Sequence, residues 1–405
     1  MVKDSSRRQR FLVALVAFVV SAVATIVAAS VPSTSSPAAP QASGGSPTPS
    51  ASDAGGVRDV RMGVSYGDTL TWKSDADMAR GLDDAVAVGA KWVRMDLSWN
   101  NIQPDSPYTY SWHRFDRVAE AAKARGLKML PVIAYTPKWA RVADCTAGQN
   151  CAPADPEIFA AFAKMAAERY SAMGIHTWEV WNEENIGFWR PAPDPKAYTE
   201  LLRATSQALR AADPKAYVVM GGLAVSRTSA AARRMSQTDF LAAVCKLGGN
   251  KYVDAVGYHP FNFPALPSAT PGTGTTFERI SSFRENLVGI LDKYGTPELP
   301  IWLTETGAPT SGPGAASDGK VNPPDTTHVT EARQAEIATD TVPAVLANPH
   351  VGAMFWYTDQ DQAVAADKKK RSLYYGMRRY DGTKKPSFEA LKAAIAAYEG
   401  AKKKG

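Results

Sequence analysis

From residue 57 onward, short apolar segments alternate with longer amphipathic segments, and this alternation constrains the fold more than any other feature. The apolar segments have the length of buried β-strands, and the amphipathic segments have the period of helices with one apolar face. Eight strand–helix units in succession predict a (β/α)8 TIM barrel of the α/β class. A doubly wound open sheet is the alternative, but no Gly-rich phosphate-binding turn follows the first strand.

The predicted elements occupy most of residues 57–400. The strands cover residues 60–64, 92–97, 128–134, 177–182, 217–221, 253–258, 301–304 and 353–357. The helices cover residues 75–88, 114–125, 156–172, 195–211, 237–246, 277–294, 331–346 and 387–398. This span exceeds the roughly 250 residues of a typical barrel, so long loops are expected. Residues 401–405 are predicted to be a basic tail.

The N-terminal part of the chain has a different composition. Within residues 1–29, basic side chains precede a long apolar run, an order typical of a secretory signal peptide. An uncleaved signal anchor is the alternative, because the run approaches the roughly 20 residues that span a bilayer. Residues 30–56 are mostly Pro, Ser, Ala, Gly and Thr, which predicts a disordered linker. We therefore expect a protein that is secreted or held outside the cell by an N-terminal anchor.

The three cysteines suggest one disulfide. Cys145 and Cys151 can close a small loop, and such a bridge contributes roughly 2–3 kcal/mol in the chain-entropy account. Cys245 is then unpaired. A metal site on Cys145 and Cys151 is the alternative, but no histidine lies nearby in the sequence. We predict neither a metal nor a cofactor.

The formal net charge is +6, with several basic clusters near the C-terminus. The simplest interpretation is a solvated surface. No interleaved aromatic pattern accompanies the charge, so no nucleic-acid partner is predicted. The cluster at residues 368–371 follows the last predicted strand, where it could instead attract an acidic glycan.

Two glutamates stand at the ends of predicted strands, the positions that carry the chemistry of a TIM barrel. Glu183 ends the run Trp-Glu-Val-Trp-Asn-Glu, and Glu305 lies within Ile-Trp-Leu-Thr-Glu-Thr-Gly. Glycoside hydrolysis needs two carboxyl groups, one as proton donor and the other as nucleophile or base. The alternative is that each glutamate forms only a structural ion pair.

Polar and aromatic residues accompany the two glutamates at the predicted strand ends. Aromatic rings stack on sugar faces while polar groups bind sugar hydroxyls, so this composition predicts a carbohydrate partner. The residues in question are Ser65, Tyr66, Asp96, Trp99, Tyr135, Trp139, Asn182, Gly222, His259 and Trp356. Trp356 is expected to form the floor of the subsite for the reacting sugar, with core packing as the alternative. Trp72, Trp99, Trp139 and Trp189 are candidates for further sugar subsites.

These motifs resemble those of clan A retaining glycoside hydrolases, most closely family 39 with some resemblance to family 5. Trp181-Asn182-Glu183 is similar to the end of the fourth strand, where the family has its acid/base. Thr304-Glu305-Thr306-Gly307 is similar to the nucleophile motif of the seventh strand. Supporting matches are Trp-Asn-Asn-Ile-Gln-Pro at 99–104, Thr-Pro-Lys-Trp-Ala at 136–140 and Tyr-His-Pro at 258–260. Together they extend over nearly all of residues 57–400.

The resemblance implies double displacement on a polysaccharide or oligosaccharide, with Glu183 as acid/base and Glu305 as nucleophile. A β-linked substrate is expected. The resemblance also implies that Asn182 bonds the sugar 2-hydroxyl. Arg94, on the second strand, could donate to Glu305 and keep it ionised, and a structural pair with Asp96 is the alternative.

Two positions depart from the family pattern. Glu184 follows the proposed acid/base where the family often has a proline, and Phe261 stands where a tyrosine commonly supports the nucleophile. Tyr258, or a residue from another loop, is expected to replace that tyrosine. His259 is expected to shape the site without binding a metal, because no second ligand has a suitable spacing.

Two other classes of function remain open at this point. A carbohydrate-binding barrel without activity would keep the aromatic residues but would not need both glutamates. An exported barrel hydrolase of another chemistry, such as a metal-dependent deacetylase, would need a His/Asp metal cluster, which the sequence lacks.

Overall fold

The computed structural model describes residues 58–404 apart from Lys369, so the predicted signal segment and linker lie outside the described residues. The strands are β1 Arg61–Ser65, β2 Trp92–Ser98, β3 Lys128–Ala134, β4 Thr177–Asn182, β5 Tyr217–Ala224, β6 Ala255–His259, β7 Ile301–Thr306, β8 Ala315–Ser317, β9 Thr326–Val329 and β10 Val351–Tyr357. The helices are α1 Asp75–Ala87, α2 Trp99–Ile102, α3 His113–Ala124, α4 Pro156–Tyr170, α5 Pro195–Ala212, α6 Gln237–Lys246, α7 Glu278–Ser281, α8 Leu287–Lys293, α9 Glu331–Ala347 and α10 Pro386–Lys402.

Eight parallel strands close into a barrel in the order β1-β10-β7-β6-β5-β4-β3-β2. The predicted TIM barrel is confirmed, and all eight predicted strands belong to it. The pair β8–β9 forms a separate two-stranded sheet in the loop after β7, which the sequence analysis did not predict. Among the described residues, no helix has both the length and the apolar character needed to cross a membrane.

The single helix predicted for residues 277–294 is wrong. The chain instead forms two short helices, α7 and α8, separated by extended backbone at Asn286. The Asn286 side chain accepts a hydrogen bond from the Gly289 amide at 2.7 Å and so caps α8. Asparagine side chains compete with the helix backbone for hydrogen bonds, and for this reason they favour helix starts over helix interiors. At the C-terminus, α10 continues into the predicted basic tail.

The amino-terminal half of the barrel interior is closed by apolar side chains. These residues are Trp92, Leu130, Val219, Ala255, Trp302, Ala353 and Phe355. The rings of Trp92 and Trp302 meet edge to face with centroids 6.1 Å apart. A Cβ at Gly63 would lie 2.4 Å from the Phe355 ring, so this strand position needs glycine. Only the carboxyl ends of the strands are therefore open to a ligand.

The structure joins Cys145 and Cys151 in a disulfide, with their Cα atoms 5.9 Å apart. Cys151 is buried, and the next amide, that of Ala152, donates to the carbonyl of Arg190 in the loop after β4. The bridge thus closes a small ring within the loop after β3, and the Ala152 amide joins that loop to the loop after β4. Cys245 is a buried free thiol.

Candidate active site

A cavity of about 760 Å³ opens at the carboxyl ends of the barrel strands. Both sequence-predicted carboxylates, Glu183 and Glu305, line it. The disulfide loop contributes Gln149 and Asn150 to the same wall. The cavity is therefore the place where the two glutamates can act together on one ligand.

Arg94 is the centre of the hydrogen-bond network beneath this cavity. Its guanidinium is fully buried and donates to Glu305 Oε1 at 2.6 Å and to Asn182 Oδ1 at 2.7 Å. It also donates to both oxygens of Glu179, at 2.6 and 3.0 Å. Asp96 is not among its hydrogen-bond partners. The structure thus brings Arg94, Asn182 and Glu305 together.

Glu179 is the member of this network that the sequence analysis missed. Its carboxylate is fully buried and accepts from the Gly222 amide at 2.9 Å and from the Thr304 hydroxyl at 3.1 Å, besides Arg94. With its oxygens satisfied inside the barrel, it has the role of an anchor for Arg94. A charged residue in the middle of an apolar strand needs a buried partner, so the position of Glu179 in the sequence could have predicted its role in the network.

A chain of hydrogen bonds runs from Glu179 to Glu183. Glu179 can only accept, so the Thr304 hydroxyl donates to it and accepts from His259 Nε2 at 3.1 Å. His259 Nδ1 lies 2.9 Å from Glu183 Oε1, so a hydrogen bond joins the imidazole to this carboxyl. When Glu183 is the acid, an imidazole with its proton on Nε2 accepts this hydrogen bond at Nδ1; when Glu183 is a carboxylate, a protonated Nδ1 donates it.

The carboxyl groups of Glu183 and Glu305 lie close together. One oxygen of each and one nitrogen of His259 lie within 4.8 Å of one another. Burial raises the pKa of the Glu305 carboxyl, and the nearby Glu183 and Glu179 raise it further, while His259 and Arg94 lower it. Two carboxyl groups this close oppose each other's ionisation. Since Arg94 donates to Glu305, Glu305 is the member of the pair that is better able to remain charged.

Irregular backbone aims these side chains into the cavity. Between β10 and β7, Met354 pairs with Leu303 but Trp356 pairs with Thr306, so β7 contains one extra residue at this point. This bulge allows both Thr304 and Glu305 to reach the interior. At the end of β4, Trp181 and Glu183 have left-handed backbone, with φ of 74° and 49°. Such conformations are costly for residues other than glycine and cluster at functional sites.

Four aromatic side chains expected to bind substrate do not line the cavity. Trp356 points outward from the barrel into the helical layer, because the inward positions of β10 are Ala353 and Phe355. Trp99 is fully buried against Phe159 and Phe162, and Trp139 packs edge to face on Trp99. The Tyr258 hydroxyl is turned away and donates to the carbonyl of Thr276. Trp72 and Trp189, the other candidates for further subsites, are not among the residues that line this cavity.

Other aromatic residues line the cavity instead. Tyr135 does so as expected, and the residues that the sequence analysis missed are Phe188, Phe263, Tyr357 and Tyr375. Phe261, Tyr357 and Tyr375 form one cluster, in which the Tyr375 ring centroid lies 5.2 Å from Phe261 and 5.5 Å from Tyr357. Burial raises the pKa of both tyrosines, and the charge of Glu305, which lines the same cavity, raises it further. Two tyrosines from other elements thus pack against Phe261, which stands where the family commonly has a tyrosine.

The basic segment at residues 368–371 and the residue Glu184 lie differently relative to the cavity. Within the basic segment, Arg371 lines the cavity and lies 5.7 Å from the Phe263 ring, whereas Lys368 and Lys370 are not among the lining residues. Glu184 points away from the cavity, towards Gly221, and its buried carboxyl has no hydrogen-bond partner among the described residues. Burial raises the pKa of Glu184 to about 8, so it is neutral at pH 7.

Residues 57–385 match the sequence profile of the family described as cellulase, glycosyl hydrolase family 5. This chain belongs to that family. The predicted membership of clan A is thereby confirmed, and the protein is a glycoside hydrolase. A search of curated protein sequences finds no significant match.

Solved structures with the same fold include enzymes of families 39 and 5. A family 39 glycoside hydrolase from Bacteroides cellulosilyticus WH2 is 20% identical with a TM-score of 0.61; the match covers 83% of this chain but 63% of that one. A family 39 β-xylosidase from Caulobacter crescentus is 21% identical with a TM-score of 0.60, covering 84% of this chain and 72% of that one. A family 5 subfamily 18 protein from Streptomyces cattleya, in complex with GlcNAc, is 18% identical with a TM-score of 0.61, covering 85% and 81%. At these identities the likeness establishes the fold.

Proposed function

We propose that this family 5 member is a retaining glycosidase that cleaves β-linked O-glycosidic bonds of an extracellular or cell-wall glycan. The observation that carries the proposal is the close approach of Glu183 and Glu305: one carboxyl oxygen of each lies within 4.8 Å of one oxygen of the other. Retaining enzymes keep their two carboxyl groups about 5–5.5 Å apart, and inverting enzymes leave about 6.5–9.5 Å for a water molecule. The basic and apolar N-terminal segment supports export of the enzyme, either by secretion or with a membrane anchor.

In the first half-reaction, ionised Glu305 attacks the anomeric carbon while Glu183 protonates the departing oxygen. Arg94 holds the attacking carboxylate in place through its 2.6 Å hydrogen bond. Asn182, held by the same guanidinium, is positioned to bond the sugar 2-hydroxyl. The bond from the anomeric carbon to the leaving oxygen breaks as the bond to the Glu305 oxygen forms.

In the second half-reaction, Glu183 acts as the base. Formation of the glycosyl-enzyme removes the negative charge of Glu305, so the ionisation of Glu183 is no longer opposed and its carboxylate can accept a proton from water. That water attacks the anomeric carbon and releases Glu305. His259 keeps its hydrogen bond to Glu183 throughout, and Thr304 sets the orientation of the imidazole.

A panel of aryl glycosides and polysaccharides, followed by sizing of the products, tests the proposal and distinguishes internal cleavage from release of terminal sugars. We expect turnover of at least one β-glycoside by the full chain and none by Glu305→Ala. Equal turnover by the two proteins, or no turnover of any glycan, would contradict the proposal.

A metal-dependent hydrolase is the second candidate, because Glu183, His259 and Glu305 have three ligand atoms close enough to hold one ion. Two carboxylates and one imidazole suit Zn²⁺ or another divalent metal. Against this candidate, the Arg94 guanidinium already occupies one oxygen of Glu305. Metal analysis of the purified protein separates the two functions: activity that a chelator abolishes and a metal restores would favour the second.

A further inference from the structure

One carboxylate of the cavity has no cation as a hydrogen-bond partner among the described residues. Asp96, at the carboxyl end of β2, is 7% exposed and lines the cavity together with Asp68 and Tyr135. Its hydrogen-bonding neighbour is the uncharged Tyr135 hydroxyl, which lowers the pKa of Asp96. Glu179 and Glu305, in contrast, both receive hydrogen bonds from Arg94. A carboxylate can accept about four hydrogen bonds, so the Tyr135 hydroxyl leaves most of this buried acceptor free for a ligand that supplies donors.

The surroundings of Asp96 are rich in negative charge. Burial raises the pKa of Asp96 to about 7, and the charges of Asp68 and Glu305 raise it, while Arg94 lowers it. Arg94 is already shared between Glu179 and Glu305. This end of the cavity therefore has more carboxylates than the nearby cation can neutralise.

The other cation of the cavity lies on its far side. Arg371 packs on Phe263, in the loop that follows β6, and its backbone would contact a side chain placed at Gly312, after β7. In the strand order of the barrel, β6 and β2 lie opposite each other. Arg371 is therefore too far from Asp96 and Asp68 to balance their negative charge. A cationic group on a ligand would balance it.

We propose that Asp96 binds a protonated amino group of the substrate, and that the glycan therefore contains deacetylated amino sugars. The proposal rests on the proposed glycosidase function, since it names the substrate class of the same cavity. A primary ammonium has three donors and a positive charge, which match a buried carboxylate that no cation of the described residues hydrogen-bonds. An N-acetyl group would bring a neutral amide with an oxygen acceptor, and a hydroxyl would bring a donor without charge.

Binding of sulfur-linked aryl glycosides, which resist hydrolysis, tests the proposal without requiring turnover. The probes are the 4-nitrophenyl β-thioglycosides of glucosamine, galactosamine and mannosamine, each paired with the matching glucose, galactose or mannose compound, and titrated by calorimetry at pH 7. We expect at least one amino sugar to bind roughly tenfold or more tightly than its hydroxyl partner, as one charge-assisted hydrogen bond would give. Asp96→Asn should remove this preference.

The matched control is Asp68→Asn, which removes the same charge from an exposed position at the rim. It should keep most of the preference. No preference in any pair, no binding of any amino sugar, or a preference that survives in Asp96→Asn would each overturn the proposal. If the amino-sugar preference is absent but turnover still depends on Glu305, the amino-sugar proposal fails and the glycosidase proposal stands. The two proposals can therefore fail separately.

Discussion

The two halves of the barrel interior are filled by different chemistry. In the amino-terminal half, the apolar side chains of Trp92, Trp302 and Phe355 exclude water from the barrel interior. In the carboxyl-terminal half, Arg94 connects the carboxylates of Glu179 and Glu305 through hydrogen bonds of 2.6 to 3.0 Å. The first half stabilises the closed barrel. The second half holds charged groups near a cavity, which costs part of that stability. Substitutions in the two halves should therefore have separable effects on folding and on activity.

The largest effect is expected in the upper half, at Glu305. Replacement by alanine should abolish turnover of every substrate, because no covalent glycosyl-enzyme can form without the nucleophile. The thermal unfolding midpoint should change little. Rate measurements with activated and unactivated aryl glycosides check this expectation, and substantial residual activity on either class would assign the nucleophile to another residue.

Glu183 should show a loss that depends on the leaving group. Glu183→Ala should lose about 10²–10⁴-fold where the departing oxygen needs a proton. With an activated aryl glycoside the intermediate should form and then persist, and added azide should release it as a β-glycosyl azide.

The neighbouring Glu184 provides the matched control for this variant. Its buried carboxyl points towards Gly221 and away from the cavity, so Glu184→Ala should lack any leaving-group dependence. If Glu184→Ala depended on the leaving group and Glu183→Ala did not, the assignment of the acid/base would be wrong by one residue.

Trp302 tests the lower half. Trp302→Ala should reduce the free energy of unfolding by about 3–5 kcal/mol, the usual range for removing a buried tryptophan from a core. The kcat of the protein that remains folded should be close to that of the parent, because the ring lies in the apolar layer below Arg94. Denaturant titration combined with activity per folded molecule checks this. A large loss of kcat in fully folded protein would mean that the two halves are not independent.

The smallest expected effect concerns the hydrogen bonds that orient His259. Thr304→Val removes the acceptor of His259 Nε2, so the imidazole can move its proton to Nδ1 and donate to Glu183. Donation disfavours the acid form of Glu183, so kcat/KM should fall more for aryl glycosides with poor leaving groups, which need the proton, than for activated ones. Thr304→Ser keeps the hydroxyl and should keep the parent rates. Equal losses on both classes of substrate, or no loss on either, would exclude this role for Thr304.

The sequence predicted the barrel because eight apolar segments of strand length recur along the chain, and burial forces such segments into one sheet. It predicted the two glutamates for a related reason, since each follows an apolar run. Which side chains of a strand point into the barrel depends on the register of that strand. A shift of one residue turns the inward-pointing side chains outward. Trp356 was placed in the cavity by such an error, and its neighbour Tyr357 lines the cavity instead.

Other parts of the site could not be predicted from local pattern. The bulge in β7 and the left-handed backbone at Trp181 and Glu183 have no periodic signal in the sequence. Tyr375 and Arg371 reach the cavity from the long loop after β10, and loop paths depend on tertiary contacts. The disulfide loop at Cys145 and Cys151 was visible as a spacing, but its place beside the cavity was not.

The central claim is that Glu183 and Glu305 cleave a glycosidic bond by two successive displacements at the same carbon. Proton NMR of the first product formed from a β-glycoside, recorded before the free sugar equilibrates, tests this claim most directly. Two inversions restore the starting configuration, so the account predicts that the β-anomer appears first. Initial appearance of the α-anomer would require a single displacement by water and would contradict the account.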